Sequence, residues 1–159
     1  MITRNLHNYF MAQLIAIDTT AVNRSGGTIA INATNSMLNF NGGVSTSLSA
    51  SVDSRFARTL RIGSGTTEPS YDDYELGRII DVAPKNITSV KSGGYENNYH
   101  IATAVFYNET DSDWVVTEVG EYLSTSTSDA TAAILLAREV FDPVTVKPGQ
   151  TFSVSMKLF

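Results

Sequence analysis

Apolar positions near the start of the chain follow the spacing of a helix, and those in the remainder follow the spacing of strands. Within residues 5–17 the large apolar side chains recur three or four positions apart, which places them on one face of a helix. This face consists of Leu6, Tyr9, Phe10, Leu14 and Ile17. Thr3 or Asn5 can cap its N-terminus. The spacing ends at Asp18, so the pattern predicts one helix over residues 5–17.

From residue 28 onward, short blocks rich in β-branched and aromatic residues are separated by turn-forming residues such as Gly63-Ser64-Gly65 and Pro148-Gly149. In the last block, Phe152, Val154, Met156 and Leu158 alternate with polar residues, as on a strand with one buried face. Many short strands and a single helix predict an all-β fold, an antiparallel β-sandwich or jelly-roll-like domain with a short N-terminal α-helix. The predicted strands span 28–33, 37–40, 44–52, 59–62, 78–82, 87–90, 100–107, 114–122, 132–141 and 151–159.

Length and composition suit a single domain. The chain has 159 residues, of which 42% are hydrophobic, which is enough for one core. We expect a helical docking arm over residues 1–20 and a β-sandwich domain over residues 21–159. An isolated helix of about 13 residues is marginal in water, so its apolar face must pack against the sandwich or against another chain.

The composition excludes several classes of protein. Cysteine is absent, which removes disulfides and thiolate chemistry. Apolar runs such as residues 132–137 stop far short of the roughly 20 residues that a membrane helix needs. Gln13 and Asp18 interrupt the N-terminal apolar stretch, which argues against a signal peptide. We therefore expect no cofactor and no membrane partner.

Charge is distributed unevenly along the chain. The net charge is −5, but residues 1–62 hold five arginines against two aspartates, a net +3, and residues 63–159 hold six basic against fourteen acidic residues, a net −8. An acidic chain argues against nucleic-acid binding, whereas opposite charges on two segments favour self-association. We expect Arg55, Arg58 and Arg61 to face acidic groups of a neighbour in a homo-oligomer, a trimer or a ring. Serine and threonine, 35 of the 159 residues, favour strand faces that desolvate at little cost.

No constellation of residues points to catalysis. The two histidines, His7 and His100, are not accompanied by a nucleophile elbow, so we expect no catalytic residue. Asp111 and Asp113 alternate in a loop and could offer oxygens to calcium, but the loop lacks the glycine and distal glutamate of an EF-hand. We favour a polar connection between two strands and expect no metal site. A glycosidase pair could also be drawn from the acids, but the sequence does not give their separation.

Three aromatic residues could form a sugar-binding platform: Tyr95, Tyr99 and Trp114. A lone tryptophan in a β-domain is more often a core or interface anchor, and we favour that interpretation of Trp114. Asn32, Asn86 and Asn108 begin glycosylation triplets, which carry little meaning without a signal peptide.

Three stretches of the chain each carry a recognisable pattern of turns and apolar positions. The first is RIGSGTTEPSYDDYEL over residues 61–76, the second is VTEVGEY over 116–122, and the third is LLAREVFDPVTVKPGQTFSV over 135–154. Together with the opening NLHNY of residues 5–9, they resemble small structural proteins of tailed bacteriophages. Glu121 departs from this pattern, which favours an apolar residue there.

The resemblance implies a non-enzymatic component of a tailed-phage virion, in the tail, neck, baseplate or fibre, that acts through self-assembly and docking onto other virion proteins. It implies synthesis in the host cytoplasm and residence in the virion. A capsid decoration protein and a carbohydrate-binding module for host attachment are the alternatives. The latter would use the three aromatic residues above.

Overall fold

A computed structural model describes residues 1–15, 18–31, 58–92, 99–123 and 133–158. It confirms an all-β fold with one short N-terminal helix. In the described part of the chain, no helix is long and apolar enough to cross a membrane. The elements in chain order are α1 (Arg4–Ile15), β1 (Thr19–Val22), β2 (Thr28–Ile31), β3 (Arg58–Gly63), β4 (Asn86–Ser92), β5 (Tyr99–Tyr107), β6 (Trp114–Leu123), β7 (Ile134–Val146) and β8 (Thr151–Leu158).

Two antiparallel three-stranded sheets form the sandwich. One has the strand order β3-β6-β7, the other has the order β4-β5-β8, and β1 and β2 form a separate hairpin. Apolar side chains from both three-stranded sheets meet between them and exclude water, which is the main stabilising contribution to such a fold. We call this cluster the main core; its buried members are Leu60, Ile62, Ala102, Ala104, Phe106, Trp114, Val116, Val119, Ala137, Val146 and Met156.

Strand β8 shows the alternation that the sequence predicts. Met156 is buried in the main core, and Phe152 and Val154 pack against it. Ser153 and Ser155 lie on the opposite, exposed face. The period of two therefore decides which face of β8 meets the core.

Strand β7 is longer than predicted, because it continues past Pro143 to Val146. Val116 pairs with Val144, whereas Glu118 pairs with Val140, so β7 has extra residues at this point of the ladder. A proline at such a bulge does not have to donate a ladder hydrogen bond. The bulge thus accommodates Pro143, which lies beyond the predicted end of the strand at residue 141.

Other predicted strand boundaries differ from the structure. Residues 78–82 were predicted as a strand, but there only Ile79 forms a bridge, with Gly63. The apolar residues of this segment serve packing instead of strand pairing, because Ile80 and Val82 contact the main core. Strand β1 was not predicted, because four residues are too few for a visible alternation. The predicted strands over 37–40 and 44–52 lie outside the described residues.

Helix α1 packs against strands of its own chain. Leu6 and Tyr9 are only 2% and 3% exposed, and Phe10 packs at the edge of the same cluster. The cluster also includes Ala12, Ala21, Ile31, Leu123, Ile134 and Leu136. This coverage leaves little of Leu6 or Tyr9 for a second chain. The side chains of Leu14 and Ile17 lie outside the described part of the structure.

Asn5 fixes the helix to strand β1. Its Nδ2 donates to the carbonyl oxygen of Val22 at 2.8 Å, and its Oδ1 accepts from the Val22 amide at 2.8 Å. The side chain thereby satisfies both polar groups of a strand residue, as a neighbouring strand would. Thr3 does not cap the helix with its hydroxyl, which instead donates to the carbonyl of Leu135 at 2.6 Å.

Replacement of Asn5 by alanine should lower the free energy of unfolding by about 1–3 kcal/mol, because the polar groups of Val22 lose their partner. Asn8→Ala is the matched control, since Asn8 makes one exposed hydrogen bond, to Thr20, from the same helix. Urea denaturation of both variants measures the difference. Equal stability losses in the two variants would contradict the role of Asn5.

Candidate functional site

The connection between β3 and β4 lies across the outer face of the β3-β6-β7 sheet. We call residues 64–80 of this connection the strap. It leaves β3 after Gly63 and returns beside it, where Ser64 N–H donates to the carbonyl of Arg78 at 2.8 Å and Ile80 N–H to that of Ile62 at 3.0 Å. Beneath it, Leu76 of the strap packs in a small cluster with Tyr122, Ala133 and Leu135.

The carboxylate of Glu118, on β6, binds the strap from below. The residue is 0% exposed, and both of its oxygens are used. Oε1 accepts from the amides of Gly65 at 2.7 Å and Arg78 at 2.9 Å. Oε2 accepts from the amide of Gly77 at 3.0 Å and from Nε of Arg138 at 2.9 Å. One buried side chain therefore holds both ends of the strap.

The glycines around this carboxylate are required by close approach. A Cβ on Gly65 would lie 2.5 Å from Oε1 of Glu118 and 2.9 Å from Cα of Gly77. A Cβ on Gly63 would lie 2.5 Å from the same oxygen and 2.6 Å from the carbonyl oxygen of Arg78. Real Cβ atoms do not come this close to backbone atoms. The Gly63-Ser64-Gly65 turn signal thus reflects the space that Glu118 needs.

Arg138 joins Glu118 to the middle of the strap. Its side chain is 3% exposed, and its Nη1 donates to Oδ2 of Asp73 at 2.8 Å. Burial alone would lower the pKa of Arg138, but the hydrogen bonds and charges of Asp73 and Glu118 outweigh burial and raise it above the ordinary value. The guanidinium therefore stays charged between two carboxylates. We call Asp73, Glu118 and Arg138 the latch.

Two further side chains of β6 bind the backbone of the strap. The hydroxyl of Thr117 donates to the carbonyl of Gly65 at 2.8 Å, and the phenol oxygen of Tyr122 accepts from the amide of Leu76 at 2.8 Å. Burial raises the pKa of Tyr122 well above its ordinary value, so the phenol stays neutral over the working pH range. The guanidinium of Arg24 lies 5.7 Å from the Tyr122 ring centroid.

Of the arginines predicted at an interface, only Arg61 has a described side chain. It is 8% exposed and its Nη1 donates to the carbonyl of Val82 at 2.9 Å, so it is engaged within its own chain. Arg58 begins β3, but its side chain is not described. Arg55 lies outside the described residues.

Of the three aromatic residues predicted as a sugar platform, only Trp114 has a described side chain. Trp114 is 8% exposed and belongs to the main core, so the sandwich covers its ring. Tyr99 begins β5, but its side chain is not described, and Tyr95 lies outside the described part of the chain.

Asp111 and Asp113 are exposed in the loop between β5 and β6. Across residues 1–15, 18–31, 58–92, 99–123 and 133–158, no three histidine or acidic side chains are grouped as metal ligands. The loop is instead organised by Asn108, which is 0% exposed. Its Nδ2 donates to the carbonyls of Val146 at 2.8 Å and Ser112 at 2.9 Å. This amide is occupied in the fold and does not serve as a glycan acceptor there.

Sequence reasoning missed the latch, although its members lie in the motif segments. Asp73 belongs to the segment 61–76, Glu118 to 116–122 and Arg138 to 135–154. The available signal was the position of Glu118 and Arg138 among apolar neighbours of long predicted strands, because charged residues are rarely buried unless they are paired. Glu121, the departure from the pattern, is also 0% exposed and lies opposite Leu60 in the ladder.

No protein-family model, curated protein or solved structure matches this chain.

Replacement of Glu118 by glutamine should cost about 3–5 kcal/mol of unfolding free energy, because it points amide hydrogens at N–H donors and removes one of the two carboxylates that pair with the buried Arg138. Glu109→Gln is the control, since Glu109 forms an exposed ion pair with Lys85. That exchange should have little effect. Chemical denaturation of both variants tests this, and equal midpoints would argue against the latch.

The buried Tyr122 phenol should make stability fall at alkaline pH. Above pH 10, the ordinary pKa of tyrosine, the unfolded chain loses the phenol proton while the folded chain keeps it, so alkali favours unfolding. Tyr122→Phe removes this titration. The decline of unfolding free energy above pH 10 should be shallower in the variant, as measured by urea denaturation at a series of pH values. Identical slopes would contradict the prediction.

Proposed function

We propose that this chain is a non-enzymatic structural component of a tailed-phage virion, which acts by self-assembly and by docking onto other virion proteins. The proposal starts from the resemblance of residues 61–76, 116–122 and 135–154 to small structural proteins of such phages. It includes synthesis in the host cytoplasm and residence in the virion.

The observation that carries the proposal is that the polar groups of the motif are used to build the fold. Both carboxylate oxygens of Glu118, the guanidinium of Arg138 and the phenol of Tyr122 bind other parts of the same chain. A general acid, base or nucleophile must instead reach a substrate atom. The motif therefore supports an architectural role, in which it fixes the strap on the sandwich.

The outer face of the β4-β5-β8 sheet supports self-assembly. Thr88, Thr103 and Ser155 form one row across its three strands, and the hydroxyls of Thr103 and Ser155 lie 2.7 Å apart. Hydroxyl groups desolvate at far lower cost than ions, so such a face can be covered by a neighbouring subunit. Strands β4 and β8 also lie at the edges of their sheet, and closed assembly is one way to protect strand edges.

The sequence leaves two alternative functions open. A capsid decoration protein would use the same assembly chemistry at a different place on the particle. A carbohydrate-binding module would need exposed aromatic rings, and Trp114 lies in the main core. Structural assembly is therefore better supported than carbohydrate binding.

We expect the purified chain to form a homotrimer or a larger ring, with association slowed at high salt if opposite charges meet at the contact. Sedimentation and native mass spectrometry over a range of salt concentrations measure the oligomer. Particle images then place it on the virion. A monomer at every salt concentration, together with isolated copies on the particle, would overturn the proposal.

A further inference from the structure

Arg138 of β7 contacts both the N-terminal residues and the strap. Residues 1–3 extend along the outer edge of β7, where Thr3 N–H donates to the carbonyl of Leu136 at 3.0 Å. Arg138 N–H donates to the carbonyl of Met1 at 2.9 Å, and the nitrogen of Met1 donates to the carbonyl of Arg138 at 2.6 Å. The backbone of Arg138 therefore binds the N-terminus, while its side chain binds the strap.

A second connection runs directly from the start of α1 to the strap. Arg4 N–H donates to the carbonyl of Tyr71 at 2.7 Å, and its guanidinium lies 5.4 Å from the Tyr71 ring centroid. The same guanidinium forms an ion pair with Asp72. The ring of His7 meets Tyr71 edge-on, with centroids 6.2 Å apart. Strap residues 71 and 72 are thus held by the start of α1, and the next residue, Asp73, is held by Arg138.

The turn that contains these residues is tight. Asp73 N–H donates to the carbonyl of Ser70 at 3.2 Å, and Ser70 N–H donates to the carboxylate of Asp73 at 2.9 Å. A displacement of Tyr71 therefore moves Asp73, which changes its hydrogen bond to Arg138. Between the start of α1 and the strap lies a cavity of about 210 Å³, so polar contacts rather than close apolar packing join the two elements there.

We infer that docking of residues 1–4 and closure of the strap are energetically coupled through Arg138 and the turn at residues 70–73. Release of the N-terminal residues opens the strap more often, and release of the strap loosens the N-terminal residues. The coupling is reciprocal because both events share the same contacts. This inference goes beyond the proposed function and does not depend on it.

Residue-resolved amide hydrogen exchange in the full chain tests the coupling, because it reports local opening under native conditions. The reporters are the amides of Gly77 and Arg78, which donate to Glu118. Thr3→Ala removes the hydroxyl that binds β7. Exchange of both reporters should become about three- to tenfold faster, the change expected from the loss of one or two ordinary hydrogen bonds. The amide of Ala104, in the main core, reports any global change.

Asn8→Ala is the matched control, because it removes a contact of α1 with β1 and leaves β7 and the strap untouched. It should leave Gly77 and Arg78 unchanged. In the reverse direction, Asp73→Asn should accelerate exchange at the Thr3 amide. Faster exchange at the N-terminal amides of Thr3→Ala with unchanged strap amides would overturn the inference.

A variant in which the N-terminal residues are tethered to β7 should make amide exchange in the strap slower rather than faster. This variant still tests the coupling if Thr3→Ala proves globally unstable. Ile2 and Ala137 are directly opposite in an antiparallel bridge, and the natural chain has no cysteine. A disulfide in Ile2→Cys/Ala137→Cys should slow exchange at Gly77 and Arg78, and reduction should restore the faster rate. Strap exchange that is the same in the oxidised and reduced forms would contradict the coupling, even if Thr3→Ala proved globally unstable.

Discussion

One buried carboxylate determines how a long connection lies on the sandwich. An ionised Glu118 away from water carries a large desolvation cost, which is tolerable only when the charge is paired and hydrogen-bonded. Three backbone amides and the guanidinium of Arg138 meet that requirement. Because these amides belong to the two ends of the strap, the connection is fixed across the sheet. Leu76 of the strap then covers Tyr122 and Leu135, which would otherwise face solvent.

The sequence predicts those parts of the fold that depend on side-chain periodicity. The single helix and the alternation along β8 follow from spacing alone, because each depends on burial of one face. The latch does not follow, since most donors to Glu118 are backbone amides, which leave no mark in the sequence. Gly63 and Gly65 were visible only as turn residues. Their role becomes clear when the carboxylate that passes beside them is known.

The interface residues expected from charge and apolarity show a second limit of sequence reasoning. Arg61 has the charge of a surface residue, but the return of the strap beside β3 brings the carbonyl of Val82 to its guanidinium. Two asparagines also have roles that the local sequence does not reveal. Asn5 and Asn108 look like cap or turn residues, and each instead completes the hydrogen bonding of strand ends that lie far away in the sequence. Such long-range pairs depend on tertiary structure, which local pattern does not encode.

The bulge in β7 limits the ways in which copies of this chain can add to one another. Strand β7 lies at the edge of its sheet, and its first half is already paired with residues 1–3. In its second half, Glu139, Asp142 and Pro143 are exposed, and a proline cannot donate to an added strand. Open-ended polymerisation by strand addition is therefore blocked along this edge. Contacts between copies of the chain would therefore have to use a sheet face, a loop or another strand edge, such as β4 or β8.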